Sequence, residues 1–95
     1  MLVRQNILEE DFRVMLQIFE ISNKRKEKMT LSRLIKIFDG RIGRERVSQA
    51  LDRLFDEGIL SAKFQKTNGK WARVYYIRGE AESFVEGIYQ KVAKC

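Results

Sequence analysis

The chain contains no histidine and no proline, and its one cysteine is the last of its 95 residues. Without histidine, the commonest catalytic base and metal ligand is missing, so neither catalysis nor a metal is expected. The carboxylates fall mostly beside basic residues on expected polar helix faces, as solvated charges do, and no cofactor is expected either. A lone terminal cysteine excludes an internal disulfide and a cysteine-based zinc cluster within one chain. Cys95 is expected to be a free thiol, the alternative being a link between two copies lying tail to tail. No apolar run approaches the roughly 18 residues that a membrane span needs. Glu9, Glu10 and Asp11 stand where a signal peptide would be apolar, so a cytoplasmic protein with no membrane contact is expected.

What is present is charge, unevenly spread. Residues 24–78 hold 15 Lys/Arg against 6 Asp/Glu, whereas residues 1–23 and 79–95 are each slightly acidic. A basic middle between acidic ends points to a polyanionic partner and locates its footprint. At 95 residues the chain suits one domain, residues 1–95, with a modest core for which a partner chain would be useful.

Apolar spacing predicts helix 1 over about 7–22. Leu8, Phe12, Met15 and Phe19 form one stripe, and Ile7, Val14, Ile18 and Ile21 form a second beside it. So broad an apolar surface implies either a central, sandwiched helix or a face that meets another subunit. After the polar stretch Lys24 to Lys28, Met29 suits a short strand, and Thr30 or Ser32 suits the N-cap of helix 2, about 31–38. Gly40 ends that helix, and helix 3 runs over about 43–57 to a stop at Gly58. Leu60, Ala62 and Phe64 alternate with polar residues in a half-buried strand. Asn68-Gly69 then makes a tight turn into a second strand, giving a hairpin over about 60–77. Helix 4 covers about 80–94.

The stretch Arg46-Val47-Ser48-Gln49-Ala50-Leu51-Asp52-Arg53-Leu54-Phe55-Asp56-Glu57-Gly58-Ile59-Leu60 resembles the recognition helix and following strand of winged helix-turn-helix transcriptional regulators. The shared pattern is a Val-Ser pair, two core leucines, an acidic pair, Gly and two aliphatic residues. The hairpin ending Arg73-Val74-Tyr75-Tyr76-Ile77 is similar to the wing of small bacterial and archaeal members. The resemblance covers about residues 29–78 and is specific to the fold rather than to one family.

That resemblance implies an α+β winged helix, with a three-helix helix-turn-helix core, a two-stranded wing and an additional C-terminal helix. It also implies a sequence-specific binder of double-stranded DNA that regulates transcription. Helix 3 would enter the major groove with Arg44, Arg46, Ser48, Gln49 and Arg53 facing it. Lys63, Lys66, Asn68, Lys70 and Arg73 on the wing would follow the minor groove or backbone. Trp71 and Tyr75 are expected to pack against helix 1 or helix 4, the alternative being stacking on a base. Helices 1 and 4 would form a homodimer through Ile7, Val14, Ile18, Phe84, Ile88 and Tyr89; a small-molecule effector, if there is one, would have to sit in that interface, and regulation by the protein's own concentration is equally compatible. Two other classes stay open: a winged-helix protein-interaction module of a replication, transcription or chromatin assembly, and an architectural nucleic-acid binder with little sequence preference.

Overall fold

The structure, a computed structural model, describes residues 8–93. Ile7 and Cys95, with the expectations attached to them, and the last residue expected in helix 4 lie outside the described residues.

Helix α1 covers Glu9–Ile18 and continues directly into a π-helical segment, Phe19–Lys24. Its first turn is held from the inside, because the Asp11 carboxylate accepts the Leu8 backbone N–H at 2.9 Å. Glu9, Glu10 and Asp11 together also complement the positive end of the helix. The widened turn shows in the Arg25 N–H, which reaches the Glu20 carbonyl five residues back at 3.0 Å. At its end Asn23 clasps the backbone of Ile77. Asn23 Oδ1 accepts the Ile77 N–H at 3.0 Å, and Nδ2 donates to the Ile77 carbonyl at 3.2 Å.

Helix α2, Leu31–Ile37, is capped by Thr30, whose hydroxyl accepts the Arg33 N–H at 3.2 Å. A turn carrying Gly40 at φ +81° leads to α3, Arg44–Asp56. The end of α3 follows from glycine chemistry. Gly58 sits at φ +76°, its N–H bonds the Phe55 carbonyl, and the Ile59 N–H bonds the Leu54 carbonyl. Those two bonds satisfy carbonyls that the helix would otherwise leave open.

Strands β1, Leu60–Thr67, and β2, Lys70–Ile77, form a two-stranded antiparallel sheet in which Leu60 pairs with Ile77 and Thr67 with Lys70. Asn68 and Gly69 both have positive φ, +54° and +81°, the mirror-image turn that matches strand twist. A short 3₁₀ turn, Gly79–Ala81, then opens α4, Glu82–Ala93. The order of four helices and one antiparallel hairpin defines an α+β fold consistent with a winged helix. Among the described residues no helix is long and apolar enough to cross a membrane.

Helix α1 lies at the centre of the molecule, against α3, β2 and α4. Its broad apolar surface is explained by that position. Val14, Met15 and Ile18 have no exposed surface at all, and they join Leu34, Val47, Leu54, Leu60, Ile77 and Val85 in one core. Fully burying a side chain of this size contributes about 1.5–3 kcal/mol.

The hairpin departs from its expected burial in three places. Phe64 and Trp71 are 65% and 66% exposed, so neither the buried Phe64 nor the packing of Trp71 on helix 1 or 4 is found. Alternation marks the face of a strand, but the strands extend beyond the helices that would cover that face. Tyr75 is buried, but against α3, with its ring edge-on to Phe55 at 6.0 Å. Met29 adds no strand; its carbonyl accepts one bond from the Tyr75 N–H at 2.8 Å.

Candidate nucleic-acid interface

Helix α3 divides cleanly around its circumference. Val47, Ala50, Leu51 and Leu54 enter the core, which turns Arg44, Glu45, Arg46, Gln49 and Asp52 to the exposed side, with Ser48 half-buried at its edge. The three arginines of this helix, alike in sequence, have three different environments. Arg44 is exposed, with no hydrogen-bond or ion-pair partner among the described residues. Arg46 is exposed and paired with Glu10 of α1. Arg53 reaches inward.

Arg53 forms a bidentate pair with Asp11: Nε donates to Oδ2 at 2.8 Å and Nη2 to Oδ1 at 2.9 Å. Asp11 is fully buried, and Oδ2 also takes the Leu8 N–H. The Asp11 hydrogen bond raises the Arg53 pKa above its ordinary value, against a smaller opposing effect of desolvation. Arg53 is therefore withdrawn from the expected DNA-facing set. Its guanidinium is committed to a carboxylate that has no water to replace it, whereas Arg46 can exchange a surface partner worth about 0–1 kcal/mol. The sequence carried a signal for this pair, since Asp11 falls on the same helical stripe as Val14, Met15 and Ile18, where a charge must find a partner.

The hairpin brings Lys63, Lys66, Asn68, Lys70 and Arg73 to exposed positions. Lys63 Nζ lies 5.6 Å from the Tyr76 ring centroid, and the Arg73 guanidinium lies 6.0 Å from that of Phe64. Lys66 lends its carbonyl to Lys28 Nζ at 2.8 Å, and its own ammonium has no hydrogen-bond or ion-pair partner among the described residues. A cleft of about 650 Å³ runs between α3 and this hairpin, walled by Asp52 and Asp56 on one side and by Phe64 and Arg73 on the other.

The residues expected at a subunit interface separate into two groups. Val14 and Ile18 have no surface left to give a partner, because α1 spends that face on its own core. Phe84 is 38% exposed and Ile88 and Tyr89 are half-buried, with Val92 beyond them 56% exposed. Tyr89 turns back onto the π-helical segment that follows α1: its ring meets Phe19 edge-on at 5.4 Å and its hydroxyl donates to Glu20 Oε1 at 3.2 Å. Desolvation, helped by that bond to Glu20, raises the Tyr89 pKa.

No family model and no curated relative matches the chain. A solved structure from Methanosarcina mazei Go1, described as a possible transcriptional regulator, is similar over 94% of this chain and 72% of that one. The TM-score is 0.61 at 20% sequence identity, a likeness of fold.

Proposed function

We propose that the protein is a winged-helix regulator of transcription that binds double-stranded DNA in a sequence-specific manner and acts as a homodimer. The observation that carries this reading is the outer edge of α3: Arg44, Arg46, Ser48 and Gln49 stand on a helix whose opposite face is fully committed to the core. In the major groove Arg44 and Arg46 meet guanine edges or phosphates, Gln49 pairs with adenine, and Ser48 allows close approach. Arg46 takes its place by giving up Glu10. The wing, with Lys63, Lys66, Asn68, Lys70 and Arg73, grips the backbone and gives affinity without sequence information.

The fold shared with a possible transcriptional regulator supports the same reading. The homodimer is built on the outer edge of α4, from Phe84, Ile88 and Val92, with Tyr89 at its margin. Two α3 helices then face a two-fold site with half-sites about one helical turn apart or more.

Selection from randomised duplexes, followed by gel shifts on the selected and scrambled sites near physiological salt, tests the proposal. A preferred site that survives added salt is the expected result. Equal loss of affinity on every sequence would leave only an architectural binder, and no duplex affinity would leave a protein-interaction module.

A further inference from the structure

Two large aromatic side chains stand in solvent on the wing without any role in the packing or in the duplex reading above. Phe64 and Trp71 are each about two-thirds exposed. The register puts them on one face, since Phe64 pairs with Arg73 and Lys66 with Trp71. That makes Phe64 and Trp71 diagonal neighbours, their backbone positions about 7–8 Å apart, with Lys66 and Arg73 on the other diagonal. Residues 60–77 include Lys63, Lys66, Lys70 and Arg73 and no carboxylate. Exposed aromatic rings alternating with cations form a surface that suits a flat, apolar group attached to an anionic chain.

We propose that this face of the hairpin is a stacking platform for unpaired nucleobases, so that the protein binds single-stranded DNA in addition to duplex. Bases of an unstacked strand lie on Phe64 and Trp71, which every base can do because each has a π face. The phosphates follow Lys66, the ammonium on the same face as the two rings, because Asp52 and Asp56 on the α3 side of the cleft repel them from it. Arg73, already over the Phe64 ring, adds a planar cation beside the bases. The inference shares with the proposed function only the idea that the hairpin cations meet a polyanion. It does not depend on α3 reading a groove.

The test is fluorescence anisotropy of the full chain, with reductant present, on labelled oligo-dT and on a labelled duplex of equal length. Oligo-dT is expected to bind and to quench the emission of Trp71, the only tryptophan. Trp71→Ala and Phe64→Ala are each expected to weaken oligo-dT binding about ten-fold or more, while Trp71→Phe, which keeps a ring, retains most of it. Both positions are exposed, so thermal melts of the variants should match the wild type.

Unchanged oligo-dT affinity in both alanine variants overturns the proposal, as does the absence of oligo-dT binding at low salt. A wild-type dimer that Trp71→Ala converts to monomer in sedimentation also overturns it, by assigning the face to a second copy of this chain. Failure of the duplex reading appears separately, as a wild type that binds oligo-dT but not the duplex.

Discussion

Three arginines on one helix show how little a residue type says without its neighbours. Arg53 neutralises the buried Asp11, so removing it strands a carboxylate in the core. Arg53→Ala is therefore expected to cost about 3–5 kcal/mol and to lower the melting temperature by more than about 10 °C. Replacing both partners with apolar residues of similar volume should recover much of that loss in the same calorimetric measurement. Arg44→Ala should change stability by less than about 0.5 kcal/mol yet weaken the selected duplex and alter its base preference. Tyr89 offers a second residue-scale test. Its pKa is raised in the folded protein, so its contribution is intact below the ordinary tyrosine value of about 10 and is lost as pH rises through the folded-state pKa. Wild-type stability should thus fall more steeply with pH than that of Tyr89→Phe between about pH 10 and the folded-state pKa, and in parallel with it above that value.

At the scale of elements, glycines separate positions of conformational need from positions of chance. Gly58 closes α3 at φ +76° with open space around it, so Gly58→Ala meets only backbone strain and should cost about 1–2 kcal/mol. Gly87 lies inside α4 with nothing within 4 Å of an added Cβ and without positive φ. Gly87→Ala is expected to stabilise by about 0.5–1 kcal/mol in denaturant titration. The contrast was partly legible from sequence, because a glycine just past a periodic run reads as a stop. The π-helical turn after Ile18 was not legible, since its purpose is to bring Asn23 to the backbone of a strand more than fifty residues away.

For the whole molecule, the distribution of apolar surface decides which assembly is reasonable. Core packing uses the face of α1 that sequence periodicity had offered to a partner, and the large apolar side chains left exposed on α4, among the described residues, are Phe84 and Val92. A Phe84→Ser/Val92→Ser variant should sediment as monomer where the wild type is dimeric, with its fold intact by circular dichroism. A wild-type monomer at micromolar concentration in sedimentation would remove the homodimer from the proposal. The basic segment of residues 24–78 should give duplex affinity a steep inverse dependence on salt, and Lys70→Ala should flatten that slope by about one.

Sequence alone was sufficient wherever the determining interaction spans only a few residues. Asn68-Gly69 specifies its turn through two local φ angles, and Gly58 ends α3 on its own last carbonyls; the sequence narrows the cap of α2 to Thr30 or Ser32, and the structure selects Thr30. Only the tertiary structure decided the fate of Asp11 and Arg53, 42 residues apart, and of Asn23 and Ile77, 54 apart. It also decided that Phe64 and Trp71 remain in water, because alternation along a strand gives the direction of a side chain but not where the body behind it ends. Backbone dihedrals and caps are set by adjacent atoms, whereas burial and charge pairing depend on which distant surfaces the folded chain brings into contact.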